Sequence, residues 1–156
     1  MKFRYLLIGM SAIGLLTLAA CKKDDNGGDQ PQKTVAERIQ TKWNIENVII
    51  HGKISATDTT SAVDTTLNLP ALTDDYFDIR SDNKIYSKFR DQMDTLDYVL
   101  QNDSTLIIKK YSYFIPNGDA TYSIRNLSDN TLTLYTKEYV PTNPADFIEE
   151  TNNLKK

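Results

Sequence analysis

Residues able to carry catalysis or bind a metal ion are few and far apart in this sequence of 156 residues. The only histidine, His51, ends an apolar segment, whereas a zinc site needs several nitrogen or sulfur ligands close together. The acidic pairs Asp74-Asp75 and Glu149-Glu150 are interpreted as solvated surface, because adjacent residues of a strand point to opposite faces. No Gly-x-Ser-x-Gly segment and no loop of EF-hand spacing occurs. We therefore predict no catalytic residue, no metal ligand and no cofactor, and do not expect an enzyme.

The most specific chemistry belongs to the only cysteine, Cys21. It follows a segment in which Lys2 and Arg4 precede an uncharged run, residues 5–20. This arrangement is typical of a secretion signal, and the run is shorter than the roughly 20 apolar residues that a membrane-spanning helix requires. We expect residues 1–20 to be a removable signal peptide.

The last residues of that run resemble the lipobox of bacterial lipoproteins, in which an aliphatic residue and two small residues precede a cysteine. Small side chains allow a peptidase to approach the backbone, and a thiol can carry a thioether-linked diacylglyceryl group. Leu18, Ala19 and Ala20 are thus predicted to direct cleavage, and Cys21 to become the lipidated first residue of the mature chain. The partner expected at this end is a membrane.

Residues 21–33 are polar or charged apart from Gly and Pro, which is typical of a flexible tether. Within it, Lys23, Asp24 and Asp25 resemble the short export signal that sends Bacteroidota lipoproteins to the outer face of the outer membrane. We expect a cell-envelope lipoprotein of the outer membrane that is exposed on the cell surface, with the periplasmic face as the alternative.

Residues 34–156 are predicted to form the folded domain. Because the chain has only one cysteine, this domain must be held by packing without a disulfide, and roughly 120 residues can bury enough surface for that. Without Lys2 and Arg4 the formal charge falls from −3 to −5, so a nucleic-acid partner is not expected.

A short helix followed by many short strands is predicted for this domain. Thr34 and Glu37 match a capping box, and Val35, Ala36 and Ile39 can form the apolar side of one or two helical turns. The strand candidates that follow are separated by turn residues at intervals typical of an antiparallel meander. They are Trp43–Ile54, Tyr76–Arg80, Lys84–Phe89, Thr95–Leu100, Thr105–Tyr111, Ala120–Leu127, Thr131–Glu138 and Phe147–Leu154.

Two segments between these candidates are less regular. The Thr-rich segment Ser55–Asn68 fits either a loop or an edge hairpin, and the sequence leaves both open. Pro70 cannot donate to a sheet ladder and therefore favours a connection or an edge.

Alternation of apolar and polar residues gives most of these strands one apolar face, as with Leu132 and Leu134 against Thr131 and Thr133. Eight antiparallel strands avoid exposed edges most simply by closing into a barrel, which is either filled by side chains or holds one small ligand. The predicted fold class is all-β, an antiparallel up-and-down eight-stranded barrel with a short N-terminal helix.

Five segments together carry a family resemblance, namely Lys42-Trp43, residues 76–86, residues 94–98, residues 126–134 and the final Asn153-Leu154-Lys155-Lys156. They resemble the small lipocalin-like lipoproteins of Bacteroidales. The resemblance implies a lipocalin-like barrel with Trp43 packed across one end, and a possible apolar cavity. It implies no catalytic residue.

A cavity in such a barrel is predicted to be lined by inward-facing side chains, namely Trp43, Phe77, Ile79, Leu96 and Leu134. Two functions of different classes follow. The first is binding of a small apolar or amphipathic ligand inside the barrel. The second is an accessory protein with a filled barrel, whose loops and nine tyrosines contact a surface partner or a glycan.

The sequence also contains candidate sites of covalent modification, although a Thr-rich chain is expected to match so short a motif by chance. Four Asp-Ser/Thr segments resemble the O-glycosylation motif of exported Bacteroidota proteins. Their acceptor residues are Thr59, Thr65, Thr95 and Ser104.

Overall fold

The structure is a computed structural model that describes residues 32–55 and 63–156. The predicted signal peptide, the lipobox with Cys21, the export signal at residues 23–25 and the tether up to residue 31 lie outside the described residues. So does the candidate acceptor Thr59. No helix among the described residues is both long enough and apolar enough to cross a membrane.

The predicted capping box starts the helix α1 (Val35–Ile39). The Glu37 N–H donates to the Thr34 hydroxyl at 3.2 Å, and the Thr34 N–H donates to the Glu37 carboxylate at 2.7 Å, which satisfies N–H groups that a helix start leaves without a partner. The helix buries Ile39, whose carbonyl accepts the indole N–H of Trp43 at 2.9 Å. This bond fixes α1 against the start of the first strand.

Nine strands follow in chain order, and every pairing among them is antiparallel. They are β1 (Lys42–Ile54), β2 (Val63–Pro70), β3 (Tyr76–Ile79), β4 (Lys84–Phe89), β5 (Gln92–Gln101), β6 (Thr105–Ile108), β7 (Ala120–Leu127), β8 (Thr131–Val140) and β9 (Asn143–Lys155). Strand β1 and strands β3 to β9 pair in order, and β9 pairs with β1 again. The fold class is therefore as predicted, an eight-stranded up-and-down barrel of lipocalin-like type with a short N-terminal helix.

Strand β2 is an additional, ninth strand. It pairs with Asn47–Ile54 of β1, whereas β3 pairs with Lys42–Asn44 of the same strand. Strands β2 and β3 therefore lie one after the other along the same edge of β1. Residues 63–68 of the Thr-rich segment thus form an edge strand that ends at Pro70, where a residue without an N–H is tolerated.

Three predicted strand boundaries were wrong by three residues or more. The β6 strand stops at Ile108 instead of Tyr111, because Lys110 adopts a positive φ of 56° that a strand does not accommodate. The β4–β5 turn is only Arg90-Asp91, both with positive φ, so β5 begins at Gln92. Strand β9 begins at Asn143, four residues before the predicted start.

One half of the barrel interior is filled by apolar side chains, and we call it the packed half. Seven of the core side chains that are at most 1% exposed define it. They are Ile39, Trp43, Ile79, Ile85, Leu132, Leu134 and Leu154.

Candidate functional site

The inner faces of the strands change character along the barrel axis. On β8 the buried Leu132 and Leu134 are followed at the same spacing by Thr136, and on β9 the buried Leu154 is preceded by Asn152 and Glu150. Because side chains of one face recur every second residue, these polar groups enter the same interior as the leucines. Above the packed half the barrel interior is therefore partly polar.

A cavity of about 280 Å³ occupies this second half of the barrel, which we call the cavity half. Apolar side chains from β1, β3 and β4 form one wall, and polar side chains from β5, the β6–β7 loop and β9 form much of the rest. The lining residues are Ile45, Val48, Ile50, Phe77, Ser87, Phe89, Gln92, Asp94, Tyr111, Tyr113, Glu150 and Asn152. The two walls meet where Ile50 pairs with Glu150 across β1 and β9.

Glu150 is the buried charged group of this cavity, with 5% of its surface exposed. The Tyr122 hydroxyl donates to its Oε1 at 3.1 Å, the Asn152 amide donates to the same oxygen at 2.5 Å, and the Tyr113 hydroxyl donates to Oε2. Among the described residues no Lys, Arg or His nitrogen lies within 4.0 Å of this carboxylate. Its hydrogen bonds thus come from neutral groups.

The tyrosines around Glu150 resist ionisation. Burial raises the pKa of Tyr111 to about 12, with smaller contributions from the negative charges of Glu150 and Asp94. Burial also raises the pKa of Tyr113 and Tyr122, and the Glu150 carboxylate adds to both effects. All three phenols therefore stay neutral hydrogen-bond donors well above neutral pH.

The β6–β7 loop, residues 109–119, carries Tyr111 and Tyr113 into the cavity. Glu138 on β8 holds the loop, since its Oε2 accepts the Ser112 hydroxyl at 2.5 Å and the Tyr113 N–H at 3.0 Å. Close packing also shapes the loop, because a Cβ on Gly118 would lie 2.6 Å from the Cβ of Ile115. Tyr113 therefore touches acidic residues on two strands, Glu138 through its backbone and Glu150 through its side chain.

A second buried carboxylate, Asp75, has a structural role beside the cavity. It is 0% exposed, and its oxygens accept the N–H groups of Leu72 and Arg90, each at 2.8 Å. These bonds tie the β2–β3 connection to the β4–β5 turn, which positions Phe89 on the cavity wall. The interpretation of the acidic pairs as solvated surface was therefore wrong for Asp75 and Glu150, whereas Asp74 is exposed.

The predicted lining residues are divided between the two halves. Phe77 lines the cavity, whereas Trp43, Ile79 and Leu134 are fully buried in the packed half and Leu96 packs partly buried against that core. The Trp43 indole N–H donates to the carbonyl of Ile39, the last residue of α1. The prediction missed the polar lining, whose signal was the change from leucine to polar residues at inward positions.

The other candidate residues lie on the outside of the barrel. The His51 side chain contacts Asp64 at 2.8 Å and the ring of Phe147, and it does not line the cavity. Thr65, Thr95 and Ser104 are all exposed, so each candidate acceptor within the described residues is accessible. Residues 32–55 and 63–156 contain no group of three or more His, Cys, Asp or Glu side chains that could hold a metal ion.

Comparison of the chain with protein-family models, with curated proteins and with solved structures finds no match. The cavity itself is then the observation from which function is argued. It combines an apolar wall with a cluster of hydrogen-bonding groups, which is the usual composition of small-molecule sites.

Proposed function

We propose that this chain is a lipid-anchored lipoprotein of the cell envelope whose barrel binds one small amphipathic molecule. The observation that carries this proposal is the cavity with its two unlike walls. Ile45, Val48 and Phe77 offer contacts to a hydrocarbon group, while Glu150 and Tyr111 offer polar ones.

The dimensions of the cavity favour a small ligand. Its volume of about 280 Å³ lies just below the range of roughly 300–1,000 Å³ that is common for ligand pockets. The exposed Gln92 and Asp94 at the start of β5 place one side of the cavity at the barrel surface. The cavity is therefore open to solvent on this side.

Ligand binding in the cavity is tested by a substitution that reduces the space available. Ser87 is a small residue on the cavity wall, so Ser87→Phe should fill part of the space, and Ser123→Phe on the exposed face of β7 is the matched control. Mass spectrometry of small molecules that co-purify with the full chain should show one species with the wild type and the control. This species should be lost from Ser87→Phe.

Two results would contradict ligand binding. One is the absence of any co-purifying species from the wild type, and the other is equal recovery from Ser87→Phe. The alternative function, an accessory protein that acts through its outer surface, predicts that Ser87→Phe leaves partner binding unchanged.

The anchor is tested at Cys21, which lies outside the described residues. The Cys21→Ala chain has no thiol for lipidation, and we expect cell fractionation to find it released or mislocalised. Full retention in the outer membrane after this substitution would refute the anchor, whatever the cavity binds.

A further inference from the structure

The charged groups that line the cavity are all acidic. They are Glu150, deep in the barrel, and Asp94, exposed at its rim, and the lining contains no Lys, Arg or His. Burying a carboxylate is costly unless an opposite charge or several hydrogen bonds compensate for the lost hydration. At Glu150 the compensation comes from two phenols and one amide, none of which carries a positive charge.

Buried polar atoms of β8, beside Glu150, are incompletely hydrogen-bonded. Among the described residues, two buried side-chain oxygens have no hydrogen-bond partner, Thr136 Oγ1 and Glu138 Oε1. Thr136 is 2% exposed and lies directly opposite Glu150 in the β8–β9 register. Glu138 is joined to Glu150 through Tyr113, whose N–H and hydroxyl each donate to one of the two. Two carboxylates thus lie on either side of Tyr113, and among the described residues no Lys, Arg or His nitrogen lies within 4.0 Å of either.

We propose that the ligand carries an ammonium group, which binds the Glu150 carboxylate while its hydrocarbon part packs against the apolar wall of the cavity. This inference rests on the proposed function and specifies the ligand class of the same site. An ammonium group supplies a positive charge and up to three N–H donors. Asp94 at the rim attracts the same charge during association.

Two other ligand classes fit the cavity less well. An anionic amphiphile such as a fatty acid would place a second negative charge beside Glu150 in a site of low polarity. A neutral alcohol would add a donor but leave the buried charge without a counter-ion. The negative charge of the lining thus favours an ammonium ligand over a neutral alcohol and over an anionic amphiphile.

The test compares three probes of equal chain length: hexylammonium, hexan-1-ol and hexanoate. Binding to the full chain in nanodiscs of neutral lipid is measured by titration calorimetry, with blank nanodiscs subtracted. We expect hexylammonium to bind at least about 10-fold more tightly than hexan-1-ol, and hexanoate to bind most weakly.

Substitutions then test which carboxylate of the cavity binds the ammonium group. Glu150→Gln should weaken hexylammonium binding about 10- to 100-fold and leave hexan-1-ol binding within about 3-fold of the wild type. Asp94→Asn, at an exposed position, should weaken hexylammonium binding about 2- to 3-fold. The matched control is Asp97→Asn, which removes the same charge from the outer face of the same strand and should have no effect.

The outcomes distinguish the two proposals. Equal binding of hexan-1-ol and hexylammonium, or an Asp94→Asn variant indistinguishable from Asp97→Asn, overturns the ammonium ligand and leaves the cavity as a ligand site. If no probe binds and no species co-purifies with the wild type, both proposals fail. The comparison of Asp94→Asn with Asp97→Asn tests the ammonium ligand even if Glu150→Gln does not fold.

Discussion

Around Trp43 the barrel interior is filled by isoleucine and leucine side chains, whereas around Glu150 the same strands enclose a cavity with buried polar groups. The change occurs within single strands, from Leu134 to Thr136 on β8 and from Leu154 to Glu150 on β9. Polar groups and incomplete packing both reduce stability, and the packed half offsets that cost. The comparison shows how one barrel can keep a fixed fold and an accessible interior.

Removing a large side chain from each half should give the largest difference in stability. Leu134→Ala opens a void in the packed half and should lower the free energy of unfolding by about 2–5 kcal/mol. Ile50→Ala, on the cavity wall, should cost distinctly less because that side chain is only partly buried and borders existing space. Urea unfolding followed by Trp43 fluorescence measures both, and equal losses would contradict the division into two halves.

Alkaline pH should destabilise the barrel through the buried tyrosines near Glu150. Tyr111 and Tyr122 have folded-state pKa values raised above the ordinary value near 10, so the unfolded chain loses these protons first. Their contribution to stability is complete below about pH 10 and is lost as the pH rises towards 12, by up to about 1.4 kcal/mol per pH unit for each group.

Denaturant unfolding between pH 9 and 12 measures this loss. Tyr122→Phe should reduce the slope of stability against pH, while Tyr139→Phe, at a half-exposed position on the outer face, should not. An unchanged slope in Tyr122→Phe would show that this phenol is not responsible for the alkaline loss.

The smallest effect is expected at Thr136. Since its buried hydroxyl has no partner, the nearly isosteric Thr136→Val should change the free energy of unfolding by less than about 1 kcal/mol. Thr133→Val is the control, because the Thr133 hydroxyl donates to Asn153 at 3.2 Å and its loss should be destabilising by about 0.5–1.5 kcal/mol. Thermal unfolding compares the two, and a larger loss at Thr136 would contradict the description of its hydroxyl as unpartnered.

The barrel could be predicted because its signals are local. The capping box at Thr34 and Glu37, the alternation on β8 and the regular turn spacing each depend on a few neighbouring residues. The connection between β4 and β5 was predicted too long, because an arginine with positive φ is not an expected turn residue.

The position of the cavity could not be predicted from the sequence. Period-two alternation shows which side chains face inward, but it does not show at which level along the barrel axis they fill the interior. That level depends on register between strands distant in sequence, such as the pairing of Ile50 with Glu150. Tyr111 was missed for a related reason, since it follows the end of β6 and reaches the cavity from a loop.

Through Tyr113, a ligand bound in the cavity can affect the β6–β7 loop. Its hydroxyl occupies Oε2 of Glu150, so an incoming donor competes with it for that oxygen. Displacement would leave this part of the loop attached to Glu138 through Ser112 and the Tyr113 N–H. We would then expect the mobility of Ile115, which is 54% exposed at the barrel surface, to change when a ligand occupies the cavity.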